Sequence, residues 1–314
     1  MADAEHDAVI EELADPDPRK RQLALMQLED IASEASVLPL LAVLEDSDAV
    51  VRRLAIALLE EIGDARAVPG IILRLLDPDA SVKEAASAAL RDFRGERAAS
   101  AMLEVIRHPE AEVRRSVIVG LREIKDPRSV GPLLEALVDS SPAVRREAVI
   151  TLAYLRLPES VSPLRLRLSD SDEGVRRVVV GALGYFVGPA LLEDLARALT
   201  DSDWRVRVEA AIVLGRSSLS GAIPGLLLAL SDPYWQVQKE SIASLGKLAA
   251  TAAIPALLPF LDSELADLRR AAAYALGELK TPRASDALRR LTADPDIEVR
   301  KAATRALEAI SRSA

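Results

Sequence analysis

The segment Asp46-Ser-Asp-Ala-Val-Val-Arg-Arg53 recurs along the chain and decides the fold. When its second valine is taken as position zero, the equivalent residues follow at intervals of 31 residues without a slip. Self-similarity at a fixed period of about 20–50 residues is typical of repeat architectures. The ten equivalent residues are Lys20, Val51, Val82, Val113, Val144, Val175, Val206, Val237, Leu268 and Val299.

Each repeat has the pattern of two helices. After position zero, apolar or small residues follow at +4, +7, +8 and +11, which places them on one face of a helix. An aspartate three residues before zero, such as Asp48, can accept hydrogen bonds from the first-turn N–H groups. An apolar segment such as Val130–Leu137 then begins the next pair. The sequence predicts twenty helices in ten pairs, no strand, and one domain over residues 1–314.

The repeated pattern resembles the HEAT family, in its short form called phycobilisome-lyase-type HEAT-like repeats. Asp46 to Leu73, Asp77 to Leu103 and Asp294 to Ile310 carry the resemblance best. It implies an all-α, right-handed α-α superhelix, a HEAT-like solenoid, whose second helices line the concave side. The family contains scaffolds, bilin-attachment subunits, hydroxylases and DNA-binding relatives, so the resemblance does not by itself assign a function.

Composition excludes several classes of site. The 314 residues contain no cysteine and only two histidines, His6 and His108, so a Cys-based or multi-histidine metal site is excluded. We expect no metal and no cofactor, and we expect both histidines at the surface. No apolar run approaches the roughly 18 residues needed to cross a bilayer. The N-terminal residues lack the pattern of a secretory signal, so we expect a cytoplasmic protein without a membrane partner.

Arginines form two rows along the repeats. An arginine directly after position zero recurs together with an aspartate five residues before zero, as in Arg52 and Asp46. We interpret this pairing as a ladder that joins adjacent repeats, in preference to a nucleic-acid surface, because the acids recur as regularly as the bases and the net charge is −9. A second row at +2, which includes Arg146 and Arg177, is diluted by glutamates at +3. We interpret it as a solvated face, and an acidic partner peptide stays possible.

Aromatic residues mark the candidate binding surface. Repeat positions −2, +2, +3, +6 and +10 lie opposite the buried face of the second helix. Five of the six Tyr and Trp residues occupy them, and Tyr234 takes a capping position that is usually Asp or Ser. Clustered exposed aromatics favour partner contact, although side chains at −2 could instead cover the seam between repeats. The candidate residues are Tyr154, Tyr185, Trp204, Trp235, Tyr274, Tyr234, Arg146, Arg177, Ile150 and Ile212, flanked by Lys239 and Arg270.

These features favour a non-enzymatic scaffold or adaptor that holds a partner protein or peptide in its concave groove. The alternative, implied by the resemblance, is a subunit of a bilin lyase-like enzyme that binds a linear tetrapyrrole or a phycobiliprotein. In that case Arg146 and Arg177 would meet the propionates. The deoxyhypusine hydroxylases of the family need repeated His-Glu pairs, which this sequence lacks. A DNA glycosylase needs a basic groove, so we expect no nucleic-acid partner.

Overall fold

The structure is a computed structural model that describes residues 2–312. Over this range it contains twenty α-helices in ten consecutive pairs and no strand, which confirms the predicted helix pattern. The chain divides into two compact units, residues 1–155 and 156–314, each with five helix pairs. The first unit contains α1 (Ala2–Glu12), α2 (Pro18–Leu28), α3 (Val37–Val43), α4 (Ala49–Ile62), α5 (Val68–Arg74), α6 (Ala80–Ala89), α7 (Gly95–Glu104), α8 (Ala111–Ile124), α9 (Val130–Ala136) and α10 (Pro142–Leu155).

In the second unit each first helix is shorter than the second helix that follows it. Short 3₁₀ segments precede most first helices, such as Ser220–Ala222 in this unit. The helix order is that of an α-α superhelix. The helices of the second unit are α11 (Val161–Leu166), α12 (Glu173–Leu183), α13 (Pro189–Ala198), α14 (Trp204–Gly215), α15 (Ile223–Ala229), α16 (Trp235–Lys247), α17 (Ile254–Leu257), α18 (Ala266–Glu278), α19 (Ser285–Leu291) and α20 (Ile297–Ser311).

Aspartates at the predicted position begin most second helices. The Asp48 carboxylate accepts the Val51 N–H at 3.0 Å, which satisfies one of the unpaired donors of the first turn. A cap of this kind stabilises a helix by about 1 kcal/mol. The residues that cap a second helix in this way are Asp17, Asp48, Asp79, Asp172, Asp203 and Asp296.

The core follows the 31-residue register. Val51 at position zero, Ala55 at +4 and Leu59 at +8 are all fully buried in α4. Burial of such a leucine side chain contributes roughly 1.5–3 kcal/mol to the free energy of folding. The small residue at +4 lets neighbouring helices approach closely. Each pair therefore buries its apolar face against the next pair, which is why one repeat alone would not be stable.

The histidine prediction was wrong for His6. Its side chain is only 13% exposed, and its Nε2 lies 2.7 Å from the Oγ of buried Ser36 in the next repeat. A residue near the beginning of α1 is thus held by a polar contact that the single-helix pattern does not reveal. Over residues 2–312, no helix is long and apolar enough to cross a membrane.

Candidate functional site

The arginines after position zero join adjacent repeats, as predicted. Arg52 donates from Nε to Asp77 Oδ2 at 2.8 Å and from Nη2 to Asp77 Oδ1 at 2.6 Å. Its Nη1 donates to the Asp46 carbonyl at 2.7 Å, within its own repeat. Both side chains are buried. The same two-point ion pair recurs in Arg21–Asp46, Arg114–Asp139, Arg176–Asp201, Arg207–Asp232 and Arg269–Asp294. These arginines are engaged within the fold and are not available to a ligand.

At two junctions between repeats, both the arginine and the aspartate of the ladder are replaced. Lys83 replaces the arginine of repeat three, and His108 replaces its expected aspartate in repeat four. His108 Nδ1 still accepts the Glu110 N–H at 3.1 Å, as the aspartates do in other turns. In repeat eight Gln238 replaces the arginine, and Ser263 stands at the partner position. Gln238 Nε2 keeps the contact with the Asp232 carbonyl at 2.7 Å. His108 and Gln238 thus each preserve one contact of the residue that they replace.

The cations at +2 are mostly paired with nearby acids. Arg115 lies 2.6 Å from Glu112, and Lys301 lies 2.8 Å from Glu298. Lys239 lies 3.3 Å from Glu240. Exposed pairs of this kind contribute little to stability, about 0–1 kcal/mol. The row is a charge-balanced surface, in agreement with the interpretation as a solvated face.

Aromatic rings meet where the second helices of repeats seven and eight begin. The rings of Trp204 and Tyr234 are stacked, with centroids 5.7 Å apart and planes 12° from parallel. Tyr234 is 45% exposed and Trp204 is partly exposed. Trp235 follows Tyr234 directly and is also partly exposed. We call Trp204, Tyr234 and Trp235 the aromatic edge. It combines accessible apolar area with rings that are held in a fixed orientation.

Cations lie over each ring of the aromatic edge. The Arg205 guanidinium carbon lies 5.8 Å from the Trp204 centroid, and Lys239 Nζ lies 5.8 Å from that of Trp235. Arg207, which is paired with Asp232, lies 5.5 Å from the Tyr234 centroid. Cation–π contacts contribute about 0.5–1 kcal/mol at exposed positions. Tyr234 therefore also covers an ion pair of the ladder, so its role is partly structural.

The tyrosines at +10 lie at the other end of the second helices. Tyr154 is the penultimate residue of α10, and Tyr185 follows α12. Tyr154 is 45% and Tyr185 is 62% exposed. Lys125 Nζ lies 4.9 Å from the Tyr154 ring centroid, and the Arg156 guanidinium carbon lies 5.3 Å from that of Tyr185. In both cases the cation over the tyrosine ring belongs to the preceding repeat and occupies the same position in it.

The structure does not bring all candidate residues into one cluster. A second helix of about 12 residues is roughly 18 Å long, so within the second unit Tyr185 lies far along the helix direction from the aromatic edge. Tyr274 lies in the middle of α18 and is 39% exposed, with Arg305 Nη1 3.4 Å from its hydroxyl. Ile212 is partly buried in α14, and Arg177 is exposed on α12. Tyr154, Arg146 and Ile150 belong to α10 in the first unit.

Glu209, one of the glutamates at +3 that dilute the second row of arginines, is half-buried, which its repeat position did not indicate. A β-carbon on Gly181 would lie 3.1 Å from Glu209 Oε1, so Glu209 fills the space beside the glycine. Burial raises the pKa of Glu209, and the nearby Arg177 and Arg216 partly offset this effect. Gly181 could have indicated this burial in the sequence. It stands at +6, where the neighbouring repeats have the larger Ile150 and Ile212.

Comparison with solved structures supports the solenoid fold. An engineered protein known from a crystal structure is 21% identical, with a TM-score of 0.52, and the match covers 98% of each chain. YibA of Escherichia coli is 19% identical with a TM-score of 0.55, and the match covers 92% of this chain and 95% of that chain. Kap95p, described as binding RanGDP, is 15% identical with a TM-score of 0.70. That match covers 98% of this chain and 50% of Kap95p. At these identities the similarity concerns the fold alone.

The match to a family model identifies the family of the chain. No curated protein matches the chain. The family model of HEAT repeats matches residues 7–91, 99–172, 161–229 and 223–308, which together span nearly the whole sequence. The chain belongs to the HEAT-repeat family.

Proposed function

We propose that the protein is a non-enzymatic scaffold that binds a partner protein, with the aromatic edge as its principal anchor. Solenoids of stacked helix pairs present long continuous surfaces, and such surfaces are commonly used to hold other proteins. The observation that carries the proposal is the stacked, partly exposed pair Trp204 and Tyr234. Buried Trp and Tyr side chains provide a large share of the binding energy at many interfaces.

The capping position of repeat eight supports this assignment. Tyr234 stands where six other repeats have a capping aspartate, and it makes no side-chain bond to the helix N-terminus. Its loss of a cap costs the helix about 1 kcal/mol. Residues that break a local rule in this way are frequently found at functional positions. The ring gains exposure and contact with Trp204 in return.

The partner segment would place apolar side chains on the aromatic edge. Arg205 and Lys239 flank the rings, and they would orient acidic residues on either side of the anchor. Tyr185, Tyr274, Arg177, Arg270 and Ile212 would extend the contact along the second unit. In the first unit, Tyr154, Arg146 and Ile150 on α10 are the candidate contact residues.

The test is affinity capture from the native lysate with wild-type protein and the double variant Trp204→Ala, Trp235→Ala. We expect the variant to lose the captured partner and to keep its helical circular dichroism. The matched control is Leu228→Ala, which truncates a side chain that is 79% exposed on α15. A folded double variant that captures the same partners as wild type would contradict the proposal. A shift of the visible absorbance of an added linear tetrapyrrole relative to the free pigment, in place of a captured protein, would favour the bilin lyase-like alternative.

A further inference from the structure

The second helices of repeats one and two expose apolar side chains. Leu23 and Met26 on α2 are 53% and 54% exposed. Leu54 and Ala57 take the same repeat positions on α4, where Leu54 is partly buried and Ala57 is exposed. We call these four residues the apolar strip. Adjacent exposed apolar side chains of this size are typical of surfaces that another molecule covers.

An acidic row runs beside the apolar strip, one helical turn further along each helix. It occupies repeat position +10 in repeats one to four, and all its members are exposed. Four residues of helix correspond to about 6 Å, and neighbouring helices lie about 8–10 Å apart. The acidic row consists of Asp30, Glu61, Asp92 and Glu123.

The charge of the acidic row is largely uncompensated. Over residues 2–312, none of its four carboxylates has a cation within ion-pair distance, whereas the ladder aspartates are paired. Glu29 at +9 adds further negative charge. Burial and a hydrogen bond with the Asp92 side chain raise the pKa of Glu60, so Glu60 adds less. The cations close to the row in sequence are Arg91, Arg94, Arg122 and Lys125. Arg91 acts on the Glu60 carboxylate, and Arg94 donates to the main-chain carbonyls of Arg91 and Phe93. Arg122 is bonded to Glu147, and Lys125 lies over Tyr154. The surface beside the apolar strip is therefore negative.

The acids also lie at unfavourable ends of their helices. Asp30, Glu61, Asp92 and Glu123 are at or just beyond the C-termini of α2, α4, α6 and α8. The helix C-terminus carries partial negative charge, so a carboxylate there lowers stability. The same repeat position carries Arg216 and Lys247 in repeats seven and eight, which is the favourable sign, and an isolated acid, Glu278, in repeat nine. The stability of the fold therefore does not explain why four successive repeats carry a negative charge at the C-terminal end of the second helix.

We propose that the apolar strip and the acidic row together bind a cationic segment of a partner protein. Apolar side chains of the segment would cover Leu23 and Met26, and lysine or arginine side chains would reach the carboxylates one turn away. Neighbouring acids are about 8–10 Å apart. A segment in the polyproline II conformation advances about 3.1 Å per residue with three residues per turn, so cations at every third residue lie on one face and fit the row. The negative surface disfavours nucleic acids and anionic lipids. None of these residues belongs to the aromatic edge, so the two proposals can fail separately.

The test uses a labelled 12-residue synthetic peptide with leucine anchors and lysine at every third position, titrated by fluorescence anisotropy against the full chain. A matched peptide with glutamate in place of lysine is the ligand control. We expect saturable binding of the lysine peptide only, weaker at high salt. The variant Asp30→Asn, Glu61→Gln, Asp92→Asn should lose at least tenfold in affinity, and so should Leu23→Ser, Met26→Ser.

The control variant Glu278→Gln neutralises an exposed acid at +10 in repeat nine and should bind as wild type does. The neutralised triple variant should melt at the same temperature as wild type or higher, because its acids oppose the helix dipoles. Equal binding by the triple variant, equal binding of the two peptides, or no saturable binding would overturn the proposal. Concentration-dependent self-association that is lost in Leu23→Ser, Met26→Ser would identify a second copy as the occupant and would also overturn it.

Discussion

Gly246 of α16 packs against Ala275 of α18 so closely that a β-carbon on the glycine would lie 2.9 Å from the Ala275 Cα. The relationship recurs one repeat later, where a β-carbon on Gly277 would lie 2.9 Å from the Ala306 Cα. Both glycines are at +9 of their repeats, and both alanines are at +7. The second helices of these repeats are in direct backbone contact.

We predict that Gly246→Ala destabilises the protein. The added methyl group has no space, and overpacking of this kind costs about 1–3 kcal/mol. The matched control is Gly131→Ala in α9, where a β-carbon meets nothing within 4 Å. It should be neutral or stabilising by up to about 1 kcal/mol, since alanine favours helix. Urea unfolding of the two variants measures the difference, and equal stabilities would contradict the packing argument.

The missing pair of the ladder between repeats three and four can be restored. We predict that Lys83→Arg with His108→Asp stabilises the protein by about 1 kcal/mol more than the sum of the two single changes. The reason is that the two-point ion pair needs both members, as in Arg114–Asp139. The spacing from His108 to Val113 is that of the intact repeats. A thermodynamic cycle from chemical unfolding measures the coupling, and a coupling of zero would show that this junction has a different geometry.

The ladder aspartates predict how stability depends on pH. Burial by itself raises the pKa of Asp77, but hydrogen bonds from Arg52 and from the Asp79 N–H outweigh it and lower the pKa below its ordinary 3.8. The pKa values of Asp139, Asp201 and Asp232 are lowered in the same balance. The folded state therefore favours the ionised form, and this stabilisation is present above the unfolded pKa and is lost as pH falls through the folded value.

We accordingly expect the urea midpoint to stay nearly constant from about pH 7 to pH 5 and to fall steeply below about pH 4. In Asp77→Asn the midpoint should be lower at neutral pH, and the fall in acid should be smaller. A midpoint that stays constant down to about pH 2 would contradict the assigned role of these carboxylates.

Glu209 should affect the pH dependence of stability in the opposite direction to the ladder aspartates. Burial raises its pKa, with Arg177 and Arg216 as partial opposing influences. Its favourable contribution is thus present below the unfolded pKa and is lost as pH rises through the folded value. We predict that Glu209→Gln is more stable than wild type at neutral pH and that the difference disappears in acid. Greater stability of wild type at neutral pH would show that the carboxylate is held by the two arginines.

The sequence was sufficient for features that repeat and insufficient for features that occur once. The helix pairs, the caps such as Asp48 and the Arg52–Asp77 contact follow from spacing, because each recurs every 31 residues. The stacking of Trp204 on Tyr234 joins different positions of adjacent repeats, so no single-helix pattern contains it. The contact of His6 with Ser36 depends on how one pair packs on the next. A one-face helical pattern likewise ignores distance along the helix axis, which separates Tyr185 from the aromatic edge.

The central claim, that the aromatic edge contacts a partner, is tested most directly by tryptophan fluorescence. The chain has only two tryptophans, Trp204 and Trp235, so all of its tryptophan emission comes from this edge. We predict that the captured partner, or a tryptophan-free segment of it, shifts this emission to shorter wavelength and at least halves the quenching by acrylamide. Unchanged emission and unchanged quenching at saturating partner would contradict the claim and would place the binding surface elsewhere.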